Sequence, residues 1–268
     1  MVPVRPEVVR RLAAPALPLV TELFWLRTVN AVGAAQSESE HRALYDLGRF
    51  VTELDPRLEG AYWFVAIVLP FQKSRNQWLF GDLSNDLITR GLEAFPTNLK
   101  LKLLRAYNTY FYLHRPAEAG HLFSEAARDP AAPPYVGLLA TRLLGEGGDV
   151  DQGLLVAQTL LESAESDEER AAFKFRIRQL QTERVLQRID AALARFRVAK
   201  GREPLSLYEV VSEGLLSPDA LEDPSGGHLY VDGEGNAQSD AYIDRLRAYK
   251  AGEQVPGAAP GLDEDHDD

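Results

Sequence analysis

Lys102, Arg105 and Asn108 stand three residues apart within one apolar stretch. At helical spacing they share roughly one face, and all three donate hydrogen bonds. Charge-assisted donors set out in this way hold both oxygens of a peptide carboxylate. Tyr62 and Tyr112 add aromatic surface on helices of the same kind, so these five residues are the candidates for peptide binding. A solvated strip beside a buried one has the same spacing, and the sequence leaves both readings open.

Other chemistry has less support. The five histidines, His41, His114, His121, His228 and His266, include no pair at helical spacing with a glutamate between, as a zinc hydrolase needs. Structural or solvated roles are expected for all of them. There is no G-x-S-x-G elbow and no phosphate-cradling G-x-x-x-x-G-K-[ST]. The glycine-rich stretches at 145–148 and 225–235 read as turns. Asp232, Glu234, Asn236, Gln238 and Asp240 alternate oxygen ligands. A helix–loop–helix calcium site starting at Asp232 would want Gly at its sixth place and Glu at its twelfth, where Ala237 and Ile243 stand. No nucleophile, base and oxyanion donor converge. The expectation is a non-catalytic protein with no cofactor and no bound metal.

Composition narrows the partners. The 268 residues carry a formal net charge of -11, and the arginines are spread among acids. Nucleic acid needs a clustered basic face, so a protein partner is expected instead. The chain has no cysteine, which excludes disulfides, thiolate catalysis and cysteine-ligated clusters and fits cytoplasm or periplasm equally. Near the start, Pro15 and Pro18 interrupt the apolar run, and Glu22 and Arg27 follow. Neither a secretory signal nor a membrane span is expected there, and as written the chain reads as cytoplasmic. A periplasmic or envelope location is the alternative if a hydrophobic anchor stands upstream.

The elements that must position these residues are helices. Apolar residues recur at three and four residue spacings from Glu7 to about Asp219. Helices are predicted near 7–34, 38–54, 58–70, 76–94, 99–113, 116–127, 134–145, 150–164 and 167–199. Pro56, Pro96 and Pro130 punctuate them, the last two 34 residues apart, which is a paired-helix repeat period. A longer internal turn is expected around Gln72–Gln77. Ala61, Gly81, Gly91, Ala106, Ala119 and Ala126 alternate with large residues, among them Tyr62, Trp63, Trp78, Tyr107 and Phe123. Small against large lets helices approach closely. The stretch Leu99–Leu113 is apolar on nearly every side, as an inner helix with neighbours on both flanks would be. Asp149 is placed to cap the helix after the GEGGD turn. In the last long helix, Phe173, Ile177, Leu180, Leu186, Ile189, Leu193 and Phe196 form one stripe. That stripe reads as packing along the stack, or as a dimerising or partner-binding face.

After Gly201 the texture changes. Pro204, Gly214, the Asp223-Pro224 and Gly226-Gly227 pairs and the alternating run His228–Val231 predict a short helix and a small hairpin. Tyr242–Tyr249 adds one more short helix. The organisation expected is therefore a helical repeat domain at 1–200, a helix and hairpin module at 201–250, and a disordered acidic tail at 251–268.

Two resemblances rest on these residues. Roughly Glu38–Ser166 resembles degenerate tetratricopeptide repeats. The stretches LVTELFWLRTVNAVG, LDPRLEGAYWFVAIVL and TRGLEAFPTNLKLKLLRAYNTYFYL resemble a bacterial family of such proteins from envelope-rich Gram-negative lineages. That family closes with a block matched here by Pro204, Ser206, Leu207, Glu209, Val211, Gly214 and Leu215. The match continues at Asp223, Pro224, Gly226, Gly227, Tyr230, Gly235 and Ser239. The same block is similar to the C-terminal part of type II secretion major pseudopilins, whose calcium-bearing loop is present here in shortened form. The resemblance implies a mainly α fold: a right-handed α-α superhelix of helical hairpins with a small C-terminal helix and β-hairpin. It also implies a scaffold that binds a partner helix or peptide on a concave surface. The alternative is an accessory subunit of an envelope, pilus or secretion assembly, docked through the C-terminal module.

Overall fold

The computed structural model describes residues 5–74, 77–242 and 245–246. The chain is mainly helical, with eleven α-helices and two small two-stranded sheets among the described residues. The order is α1 (Pro6–Leu12), α2 (Leu17–Ala34), α3 (Glu38–Leu54), α4 (Glu59–Val68), β1 (Phe71–Ser74), β2 (Gln77–Leu79), α5 (Gly81–Ala94) and α6 (Leu99–Phe111). Then come α7 (Pro116–Ala126), α8 (Pro134–Glu146), α9 (Val150–Ser163), α10 (Asp167–Lys200), α11 (Leu207–Ser212), β3 (Leu229–Val231) and β4 (Ala237–Ser239).

Local chemistry explains where the helices start. Ser37 and Glu40 form a reciprocal capping box on α3. The Asn98 side chain accepts from the Leu101 amide at 3.0 Å, and Ser166 accepts from that of Glu169 at 3.1 Å. Pro116 and Pro134 open α7 and α8, where a missing N–H costs nothing. Pro56, Pro96 and Pro130 follow α3, α5 and α7, so each of these prolines lies just beyond a helix end. Gly201, at φ +69°, closes α10 in the left-handed conformation that glycine adopts without strain.

From α2 to α10 each helix packs on the next in sequence, and α3/α5, α4/α6 and α8/α10 also touch. Three apolar clusters fill the stack. The first joins Leu44, Tyr62, Val65, Leu87, Ile88 and Leu101; the second joins Ala106, Ala119, Phe123, Val136 and Leu143. The third joins α9 and α10 to the C-terminal segment through Leu186, Ile189, Phe196, Val210, Ala237 and Tyr242. Small residues sit where helices close up: a Cβ on Gly91 would meet Leu101 at 2.9 Å and Tyr62 at 3.0 Å. The long stripe of α10 is thus covered by α8, α9 and the chain that follows it, which settles the two readings in favour of packing.

Several expectations need correction. The helix expected at 7–34 is broken by a 3-10 turn at Ala14–Ala16, and α1 and α2 meet at 96°. Pro15 and Pro18 remove two backbone donors there. The helix expected from 76 begins only at Gly81, because β1 and β2 form a hairpin where a turn was expected, with Gln72 opposite Trp78. Phe80 turns the chain from β2 into α5 at φ +65°, an uncommon conformation for a bulky residue. The inner-helix reading of Leu99–Leu113 holds on one side only, since Phe111 and most of its neighbours keep contact with solvent. Trp63, expected in a groove between helices, is exposed. Asp149 stands at the start of α9 without capping it; its carboxylate meets His121 Nε2 at 2.9 Å instead. Tyr242, Arg245 and Leu246 are not helical, and the other positions of the helix expected at Tyr242–Tyr249 lie outside the described residues. The expected acidic tail, with His266, also lies outside them.

Candidate functional site

Two clefts flank the C-terminal turn of α5. The smaller, of about 250 Å³, is lined by Leu92 and Pro96 from that turn and the loop after it, Lys102 and Arg105 from α6, and Leu122 and Glu125 from α7. Both cations are half-buried. Among the described residues neither takes part in an ion pair. Two donors thus stand over a partly apolar floor facing one carboxylate, Glu125.

The larger cleft, of about 490 Å³, lies on the other side of the same turn, between α1, α3, α4 and α5. Its walls carry Arg10, Arg49 and Arg90 with Glu7, Glu53 and Glu93. Most of these charges are already satisfied. Glu53 Oε1 receives Arg49 Nε at 3.0 Å and Arg90 Nη1 at 3.6 Å, and the Glu53 backbone carbonyl accepts from Arg10. Arg90 Nε also donates to Asp86 Oδ2 at 2.9 Å, which the Tyr45 hydroxyl reaches at 2.6 Å. Burial pushes Asp86 up, but hydrogen bonds from Tyr45 and Arg90 outweigh it and hold the carboxyl below its ordinary range. Tyr45 is raised by burial and by donating to that carboxylate. The result is a fixed lattice of charges. Its guanidiniums are held in place before any ligand arrives.

The five residues singled out for peptide binding do not form one surface. Lys102 and Arg105 share the smaller cleft, and Tyr62 reaches the wall of the larger one. The rest of Tyr62 is buried, with its hydroxyl on the Pro56 carbonyl at 3.3 Å. Asn108 is in the core: its Nδ2 donates to Ser84 Oγ at 2.6 Å, and Ser84 donates to the Ala66 carbonyl at 2.7 Å. It ties α6 to α5 and α4. Tyr112 lies against Trp78, ring centres 4.8 Å apart, at the other end of α6. The reason is angular: six residues of helix turn the chain so that Asn108 projects about 120° away from Lys102. Arg49, Glu53, Asp86 and Arg90 were not singled out. Their signal was present as charge pairs at i,i+4, but such pairs also stud ordinary solvated faces.

Three of the remaining candidates have structural partners. His41 Nδ1 meets the Leu69 carbonyl at 3.2 Å beside Phe71, and His228 Nδ1 meets Asp240 Oδ2 at 3.1 Å. Asp232 spends its carboxylate on closing the hairpin turn. Oδ1 accepts from the amides of Glu234 and Asn236 at 3.0 and 2.9 Å, and Oδ2 from Gln238 at 2.8 Å. Among the described residues no group of three His, Asp or Glu side chains is placed to hold a metal ion. Compared with protein-family models, with curated proteins and with solved structures, the chain gives no match.

Proposed function

We propose that this protein is a non-catalytic scaffold of the tetratricopeptide type, and that it binds an extended acidic segment of a protein partner across the end of α5. The observation that carries this reading is the placing of Lys102 and Arg105, without an ion pair among the described residues, beside Leu92 and Leu122. Two half-buried cations beside apolar surface suit a carboxylate flanked by an apolar side chain. The larger cleft, with charges of both signs, would take the continuation of the same segment. Helices that pack on their sequence neighbours, closed by Pro56, Pro96 and Pro130, support the repeat reading.

A second reading has its own support. The most exposed apolar side chains of the C-terminal region are Leu205, Val198 and Tyr208, at 90%, 89% and 77%. They favour docking into a larger envelope or secretion assembly through the region around α11. One experiment separates the two. Tagged protein is used to capture partners from extract of the source cells, in wild-type, Lys102→Glu/Arg105→Glu and Leu205→Asp/Tyr208→Asp forms. On the first reading the Lys102/Arg105 variant recovers at least about tenfold less partner, since each charge-assisted bond is worth about 1.5–3 kcal/mol. Loss only in the Leu205/Tyr208 variant replaces it with the second. Unchanged recovery in both removes both surfaces.

A further inference from the structure

Helix α2 carries apolar residues on both sides, and among the described residues only one side is packed against other aromatic side chains. Its inner side packs Phe24 on Phe50, ring centres 4.6 Å apart, and Trp25 on Phe64 at 5.5 Å. Its outer side presents Leu19, Leu23 and Leu26, exposed at 64%, 58% and 57%. Their spacing of i, i+4 and i+7 makes one stripe. At the corner between α1 and α2, Leu12 is almost fully exposed as well. A helix with apolar residues all round belongs under a cover on each flank.

The charge around this stripe indicates what the cover is. Residues 5–34 hold four arginines and two glutamates, in a chain whose formal net charge is -11. Arg5, Arg11 and Arg27 are exposed, and among the described residues none of them takes part in an ion pair. Glu7 lines the larger cleft with Arg10, which leaves Glu22 as the one acid on the outer side of α2. Exposed leucines on a segment with twice as many arginines as glutamates, in an otherwise acidic chain, match an interface that is apolar below and negative above. A second copy fits less well, because a two-fold contact brings together two segments that each carry more arginine than glutamate. No single helix among the described residues is long and apolar enough to cross a membrane; α1 and α2 reach that length and composition only as a pair bent by 96°.

We propose that the outer face of α2, with Arg5, Arg11 and Arg27, docks on the surface of an anionic lipid bilayer, with α2 lying in the plane of the headgroups. The full chain is the test material. It is sedimented with vesicles of phosphatidylcholine alone and with vesicles containing one quarter phosphatidylserine. The expected result is binding to the anionic vesicles only, weakened by high salt. Leu19→Ser/Leu23→Ser should reduce binding by at least tenfold, and Arg5→Gln/Arg11→Gln/Arg27→Gln should remove the preference for anionic lipid. Because the chain has no cysteine, Leu26→Cys and Leu155→Cys can each carry one environment-sensitive dye, which keeps the test independent of how the other variants fold. The dye at 26 should shift to the blue on anionic vesicles while the dye at 155, on α9, stays unchanged. Three results overturn the proposal: no binding to anionic vesicles, equal shifts at the two positions, or a lipid-free dimer that Leu19→Ser/Leu23→Ser dissolves. The last result would identify a second copy as the cover.

Discussion

Arg245 and Glu183 show how much one side chain can decide. Both are buried, and the guanidinium reaches Glu183 Oε1 at 2.7 Å, Asp190 Oδ2 at 2.8 Å and the Ala237 carbonyl at 2.9 Å. Burial works against the charge on Arg245, yet Glu183 and Asp190 raise its pKa above that of ordinary arginine. Asp190 also accepts the Ala237 amide at 2.7 Å, so the same cluster fastens β4 to α10. Removing one member leaves an unpaired charge in the interior. Arg245→Met is expected to cost about 3–5 kcal/mol in denaturant unfolding, and adding Glu183→Gln should recover part of that loss. Strict additivity of the two substitutions would show that the pair is not coupled. None of this was legible in the sequence, because nothing in the spacing of two charges 62 residues apart says that they meet. The candidate site was half legible for the same reason. Lys102 and Arg105 lie one helical turn apart and stayed together, whereas the fate of Asn108 depended on Ser84 in a different helix.

At the scale of elements, the helices were read best, because each one declares itself locally. Capping residues at 37, 98 and 166, prolines at 116 and 134, and apolar spacing set most boundaries within a residue or two. The failures fell where local preference loses to context. The N-terminal apolar run kept helical spacing through Pro15 and Pro18, and the break between α1 and α2 lies at those prolines. The hairpin Phe71–Leu79 has a strand only three residues long on one side, too short to show alternation, and its Trp78 packs on Tyr112 of α6. The close approach of α4, α5 and α6 gives a sharper test. Gly91→Ala places a Cβ against Tyr62 Cβ at 3.0 Å, and neither helix can retreat without opening the cluster around Leu87, Ile88 and Leu101. The expected loss is about 1–3 kcal/mol in thermal or urea unfolding. A neutral result would mean that this junction is loosely packed.

Across the molecule, α10 is the element that makes the C-terminal region part of the whole. It has 34 residues, about 51 Å at the rise of an α-helix. One end contacts α8 and α9, while Leu186, Ile189, Leu193 and Phe196 lie under α11, β4 and Tyr242. Truncation after Gly201 should therefore bare a continuous apolar row. The shortened chain is expected to bind a hydrophobic dye and to melt in a broader transition than the full chain, followed by circular dichroism; an unchanged melt would show that α10 needs no cover. The same geometry imposes an order in time. Helices α3 to α7 make their main contacts, among the described residues, with near neighbours in sequence and can stack as they leave the ribosome. Glu183 has no such neighbour and must wait 62 residues for its counter-ion. The final layer is thus assembled after synthesis has passed residue 245, and a nascent chain paused short of that point is the form most in need of a chaperone.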